Sequence, residues 1–183
     1  PYNANSGLRE AYSFECANQV MDGTDDAALK SAFVKNNSFV GYAKVEANDN
    51  DHESVAIDMA PVFESTGIVL FNTGSQSYTI EKIVLSGAAV STKAVVKPSQ
   101  VEGKVNTAGN FVFDNKEVLD YTDNEKRIEV ALTAGNTVES NSSIRVIVMS
   151  APSAALTAND AVLEIHTDKG LIRGIDLSHK YTA

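Results

Sequence analysis

The sequence predicts an all-β protein, an antiparallel β-sandwich of about ten strands with little helix. Short apolar segments recur along most of the chain, and several of them alternate apolar and polar residues with a period of two. Clusters of Gly, Asn, Asp and Ser separate these segments, as expected for turns. A closed barrel is the alternative architecture. The length of 183 residues fits one domain, 1–183.

Residues 67–86 are predicted to form the central hairpin, which is the most apolar hairpin of the chain. Ile68 to Phe71 are an unbroken apolar run, which is typical of a strand buried on both faces. A polar turn around Gly74, a residue able to adopt positive φ, leads to the second strand. A change of face at Glu81-Lys82 predicts a β-bulge or a twist in a central strand there. The apolar residues on either side of that change are Tyr78 and Ile80, then Ile83 and Leu85.

Residues 1–38, which precede the first clear alternation, are predicted to be a loop-rich N-terminal segment. Thr24, Asp25 and Asp26 favour the start of a short helix that ends near Val34. Strands are then predicted from Phe39 to Val45 and from Val55 to Met59, with Pro61 closing the second.

The second half of the chain has the same short strands. They are predicted at 92–97, 111–113, 118–119, 127–132 and 144–149, with a loop at 134–142. A final hairpin joins residues 161–166 to 171–177 through Asp168-Lys169-Gly170, with Gly where positive φ is needed.

Composition restricts the partners. The net charge of −9 opposes binding to nucleic acid or to an anionic membrane surface, because like charges repel. No apolar run approaches the roughly 20 residues of a membrane-spanning helix.

Cys16 is the only cysteine, so an intrachain disulfide is impossible, and we expect a partly buried thiol. The chain begins at Pro1, so we expect a processed or trimmed product whose export signal has been removed.

The densest polar cluster surrounds His52. Asp49, Asp51 and Glu53 place carboxylates at alternate positions, which is a weak pattern for Ca²⁺. The cluster lacks the central Gly and the distal Glu of an EF-hand loop, so a solvated turn between strands is the favoured interpretation. The three histidines are far apart in sequence, and none forms a short-spaced pair of metal ligands. We therefore predict no metal and no cofactor.

No pattern of a nucleophile elbow, a phosphate-binding loop or a dinucleotide site occurs, and the protein is predicted not to be an enzyme. A hydrolase would need two carboxylates converging in a cleft, which the sequence cannot nominate among 24 acidic residues. A carbohydrate-binding module is the stronger alternative. It would need an aromatic surface, but Trp is absent and the six tyrosines are scattered.

Edge strands offer a route to assembly, because their unpaired backbone groups accept another strand. The extended N-terminal segment and the C-terminal strand are the candidates for exchange. In the latter the candidate residues are Leu171, Ile172, Ile175 and Leu177. Pairing within the chain is the simpler interpretation for either end.

Two stretches together resemble the fimbrillin-like (Mfa-like) surface and pilus proteins of anaerobic gut and oral bacteria. The first is SYTIEKIVLSG (77–87) preceded by IVLFNTG, which fits their Tyr-x-Ile-x-x-Ile-x-Leu-Ser strand. The second, residues 144–177, fits their closing pattern of an apolar strand, a Pro-containing crossover and a hairpin. The resemblance covers about half of the chain. The chain departs from these families in having no lipobox sequence before Cys16.

The resemblance implies a transthyretin-like, more loosely immunoglobulin-like, sandwich in an exported outer-membrane lipoprotein or pilus subunit. In such families some subunits polymerise by strand exchange after an arginine-specific protease removes an N-terminal segment. Arg9 is the residue that would mark such a site. We therefore predict a non-enzymatic cell-surface adhesion or fimbrial protein. Its partners would be other surface or pilus subunits, copies of itself, or a host protein or glycan.

Overall fold

A computed structural model describes residues 11–43, 57–87, 90–113, 120–122, 126–151 and 161–176. The described residues contain thirteen strands and two short helices, so the predicted all-β class is confirmed. Whether the sheets form a sandwich or a closed barrel stays a prediction. The first part of the chain holds β1 (Tyr12–Glu15), β2 (Asn18–Met21), α1 (Asp26–Asn36), β3 (Phe39–Gly41), β4 (Met59–Pro61), β5 (Glu64–Phe71) and β6 (Tyr78–Ser86).

The second part continues with β7 (Lys93–Val96), α2 (Pro98–Val101), β8 (Asp120–Thr122), β9 (Arg127–Leu132) and β10 (Thr137–Val138). It ends with β11 (Ser143–Ser150), β12 (Val162–Thr167) and β13 (Gly170–Asp176). The strands predicted at 92–97, 127–132 and 144–149 are confirmed as β7, β9 and β11. The predicted loop 134–142 contains the two-residue strand β10, and residue 111 forms only an isolated bridge with Val105.

The largest sheet has the strand order β13-β12-β6-β9-β2, and β10 also pairs with β6. Three smaller sheets are β1-β7-β8, β11-β5 and β3-β4. The pairs are antiparallel except β2 with β9, which is parallel and which the sequence analysis did not predict. A four-residue strand carries too little alternation to show the direction of its partner.

The predicted central hairpin is wrong, because β5 and β6 belong to different sheets. β5 pairs with β11, and β6 lies between β12 and β9. The turn prediction identified a change of direction but not the crossing between sheets. The prediction that 68–71 is buried on both faces is also wrong, since Val69 and Phe71 are about 60% exposed (62% and 60%). Gly74 is not among the glycines with positive φ.

The predicted bulge in the central strand β6 is confirmed. His166 pairs with Lys82 and Thr167 pairs with Ile80, so the register with β12 skips Glu81. Because the extra residue restores the phase, Ile80 and Ile83 both enter the same core. Two apolar rows then cross three strands, Ile165–Ile83–Val130 and Leu163–Leu85–Ile128.

The main core contains the inward side chains of the largest sheet together with residues of β5, β11 and α1. Val146 and Val148 of β11 and Ala32 of α1 are fully buried in it. A second core beside the β1-β7-β8 sheet gathers Phe63, Met149 and several half-buried aromatic side chains. Ile147 packs against both cores, so the β5–β11 pair connects them.

Helix α1 and the final hairpin follow the sequence predictions. Asp25 is the N-cap, and its Oδ1 accepts a hydrogen bond from Ala28 N at 2.7 Å, but the helix continues to Asn36 rather than Val34. β12 and β13 form the predicted hairpin, and Gly170 has φ +131°. The segment 1–38, predicted to be rich in loops, carries β1, β2 and α1 in its described part. Its strands form through pairing with β7 and β9, which are remote in sequence.

Candidate functional site at the sheet edges

The two outer strands of the largest sheet are β2 and β13, and they differ in what covers their edges. At β2, the carbonyls of Ala17 and Met21 accept hydrogen bonds from β9 and the residue after it, through Glu129 N and Thr133 N. Val20 has the opposite parity, so its backbone groups point away from β9. The N–H and C=O of Val20 therefore lie on the outer edge of β2, the side away from β9.

The side chain of Asn36 closes the β2 edge. Asn36 Oδ1 accepts a hydrogen bond from Val20 N at 3.0 Å, and Asn36 Nδ2 donates to Val20 O at 2.9 Å. The same amide nitrogen donates to Ala32 O at 2.9 Å, which fixes the side chain to its own helix. A carboxamide thus takes the hydrogen-bonding role of a neighbouring strand. Ala32 is fully buried, and its small side chain suits the close approach of α1 to the sheet.

A second carboxamide closes the strand β11 at Met149. Gln19, which is 2% exposed, accepts from Met149 N at 2.9 Å and donates to Met149 O at 2.7 Å. Its nitrogen also donates to Cys16 O at 2.7 Å. Because Gln19 lies on β2, this side chain ties the largest sheet to the β5–β11 pair and covers the backbone that points away from β5.

The β13 edge is open among the described residues, where β13 pairs with β12 alone. Leu171 is 40% exposed and Ile172 is 46% exposed. Successive residues of a strand point to opposite faces, so both faces of β13 are partly bare at this point. The pairing with β12 also slips between Leu163 and Ile165. β13 is therefore held less completely than the inner strands.

Of the four candidate exchange residues, the structure places three on β13. Leu171 and Ile172 lie opposite His166 and Ile165, and Ile175 lies opposite Leu163 in the register. Leu177 lies outside the described residues.

β5 is a further edge strand, since it pairs only with β11 in the described part of the chain. Val69 and Phe71 project from one face of β5 and are both mostly exposed. A Cβ added at Gly67 would meet no atom within 4 Å. An eight-residue strand with exposed apolar side chains is the kind of edge that accepts another strand.

Charged side chains form ion pairs across the outward face of the largest sheet. Glu129 Oε2 lies 3.0 Å from Lys82 Nζ and 2.9 Å from Arg127 Nη2. The hydrogen bond from Lys82 is the main reason that the pKa of Glu129 lies below its ordinary value, and it outweighs the opposing effect of burial. Glu164 lies 3.4 Å from Arg173 Nε and 3.7 Å from His166 Nε2. These pairs couple β6 to β9 and β12 to β13.

Several predicted site residues lie outside the described residues, namely Asp49, Asp51, Glu53 and Arg9. Within the described ranges, no three His, Cys, Asp or Glu side chains come together as a metal site. The acidic residues near α1 have structural roles. Asp25 caps the helix, Asp22 lies 3.9 Å from Lys35, and Asp26 pairs with Arg145.

Sequence reasoning missed the carboxamides that close the edges. Asn36 stands at the end of a helix and Gln19 within a short strand, and neither position has a motif. Gln19 contacts Met149 across 130 positions, so no local spacing points to it. A sequence signal that could have marked Gln19 is its position two residues from each of the apolar residues Ala17 and Met21, where alternation predicts an apolar side chain.

The chain matches no protein-family model, no curated protein and no solved structure. The resemblance to fimbrillin-like proteins therefore stays a prediction. None of the helices in the described ranges has the length and apolar character needed to cross a membrane.

Proposed function

We propose that this chain is a non-enzymatic cell-surface adhesion or fimbrial protein that assembles with other subunits through its sheet edges. The observation that supports the proposal is the difference between the two ends of the largest sheet. The β2 edge is closed by Asn36, whereas β13 has exposed apolar residues on both faces and no second neighbour among the described strands. A strand added at β13 would gain main-chain hydrogen bonds and cover Leu171 and Ile172.

The same features suit β13 to exchange between subunits. An exchanged strand must leave its own sheet at small cost, and Leu171 and Ile172, at 40% and 46% exposed, lose less buried apolar area on leaving than the core residues Leu163 and Ile165 would. The inner rows of the sheet stay intact without it, because Leu163 and Ile165 pack into the main core. Other pilus subunits or copies of this chain are the proposed partners, and export to the cell surface with processing at Arg9 completes the proposal.

The test is an immunoblot of envelope fractions from the native organism, run in SDS with and without boiling. A ladder of multiples that collapses on boiling is the expected result, since strand exchange survives SDS but not heat. The double variant L171K/I172K should lose the ladder. V112K is the matched control, because Val112 is 53% exposed and lies outside β13. A single monomer band from the wild type would overturn assembly, and glycan binding would then be tested.

A further inference from the structure

The outward face of β5 carries small residues in its N-terminal half and large side chains in its C-terminal half. Ser65 and Gly67 are small, whereas Val69 and Phe71 are large and mostly exposed. In the described part of the chain, no atom lies within 4 Å of a Cβ placed on Gly67. The large half of one β5 therefore has the shape to fill the small half of another.

Among the described residues, no strand pairs with the backbone groups that these same residues direct away from β11. Asn72 N donates to Ser142 O, and Asn141 N donates to Asn72 O. The even-numbered residues of β5, which alternate in phase with Asn72, therefore direct their backbone groups towards β11. In an antiparallel ladder, the residues of the other parity direct N–H and C=O to the opposite side. These are Ser65, Gly67, Val69 and Phe71, the residues of the outward face.

We propose that β5 pairs antiparallel with β5 of a second copy of this chain, about a two-fold axis at Ile68. The result is a continuous four-stranded sheet in which the two β5 strands are central and the two β11 strands are outer. A two-fold axis perpendicular to a sheet keeps each face on its own side. Val69 then lies opposite Gly67 of the partner subunit, and Phe71 lies opposite Ser65 of the partner subunit.

This register is the only one within β5 that sets both large residues opposite small ones. Moving the axis to Val69 would place the two Val69 side chains against each other. Moving it to Gly67 would place Phe71 opposite position 63, which precedes the strand. The register centred on Ile68 also makes the outward-facing residues the hydrogen-bonded pairs.

The charge distribution makes the β5 edge a more favourable contact site for a second copy than most other parts of the surface. A chain of net charge −9 repels its own copies, but Glu64 is the only charged residue of β5. In the proposed register Glu64 lies opposite Asn72 of the partner subunit. The two Glu64 residues are then eight positions apart along the strands, about 27 Å at ~3.4 Å per residue. That separation exceeds the Debye length of about 8 Å at physiological salt.

The inference rests on the proposed assembly through sheet edges and names the partner at one of them. Because a two-fold contact closes on itself, β5 pairing gives a dimer, whereas exchange of β13 gives longer multiples. The two contacts can therefore fail independently.

The test is sedimentation velocity of the full chain over a range of concentrations, with two β5 variants. V69E places a carboxylate beside Arg145 of its own subunit, so the monomer should tolerate it, and G67F fills the space that Val69 of the partner subunit would occupy. The control V34E makes the same change at a valine of α1 that is 64% exposed. Circular dichroism and melting curves establish that each variant is folded.

We expect a monomer–dimer equilibrium for the wild type and V34E, and at least a tenfold higher dimer Kd for V69E and G67F. A wild type that stays monomeric at hundreds of micromolar overturns the inference. A dimer whose Kd is unchanged in both V69E and G67F also overturns it. Binding of a foreign extended peptide to β5 of the monomeric protein, in place of a second copy, overturns it as well. A heat-sensitive SDS ladder that survives V69E would leave the proposed function standing without this dimer.

Discussion

The β2 edge and the β13 edge belong to one sheet and have opposite surroundings. At β2 a single carboxamide, Asn36, satisfies both backbone groups of Val20 and is itself fixed by Ala32 O. At β13 the described structure offers β12 alone, and Leu171 and Ile172 are both partly exposed. Native sheets protect edges that must not pair, so an edge without such protection is where assembly is expected.

The largest expected effect compares leucines of β12 and β13. Leu163 is 1% exposed, whereas Leu171 is 40% exposed. L163A removes a fully buried side chain and should cost roughly 2–5 kcal/mol of unfolding free energy. L171A should cost less, about 1 kcal/mol, because Leu171 stays 40% exposed and its truncation removes less buried area and leaves no enclosed cavity. Urea denaturation of both variants measures the difference, and equal losses would mean that β13 is as firmly packed as β12.

A smaller effect follows from opening the closed edge. N36A leaves the part-buried N–H and C=O of Val20 without their side-chain partner, which should cost about 1–3 kcal/mol. The exposed S31A on the same helix is the control and should change stability by less than about 0.5 kcal/mol. Thermal or urea unfolding checks both values. A stability of N36A equal to that of S31A would show that the carboxamide does not hold the edge.

The smallest effect separates the ion pairs near the two edges. E129Q weakens contacts to Lys82 and Arg127 and should cost about 0.5–1 kcal/mol at pH 7, whereas R173A should cost at most about 0.5 kcal/mol because Arg173 is 70% exposed. The lowered pKa of Glu129 means that its contribution is present above the ordinary value of 4.5. That contribution is lost as the pH falls through the lower folded value.

Denaturation midpoints measured from pH 7 to pH 3 test the sign. The wild type should lose its advantage over E129Q in the acid range, and R173A should remain parallel to the wild type. An advantage that grows on acidification would contradict the assigned direction of the pKa.

The sequence predicted the elements that local pattern determines. The alternation of β9, the N-cap Asp25, the bulge at Glu81 and the turn at Gly170 all depend on neighbouring residues. Strand partners depend on contacts that are distant in sequence, and there the prediction failed. β5 and β6 have the pattern of a hairpin, but each finds a better-matched partner in β11 or in β12 and β9.

The residues of the candidate site likewise divide into those that the sequence reveals and those that only the structure reveals. Leu171 and Ile172 were identified because an end strand with apolar residues is visible in the sequence. The closing carboxamides and the bare face of β5 were not visible, because exposure of Val69 and Phe71 is set by which face the core covers. An unbroken apolar run does not show that only one of its faces is buried.

Hydrogen exchange, resolved by peptide and measured as the protein concentration is raised, distinguishes open from closed edges. Peptides covering β13 (170–176) and β5 (64–71) should exchange faster than β2 (18–21) in dilute solution. Raising the concentration should slow exchange in β13 and β5 and leave exchange in β2 unchanged. Protection that appears first at β2, or that never depends on concentration at any edge, would contradict the assignment of closed and open edges.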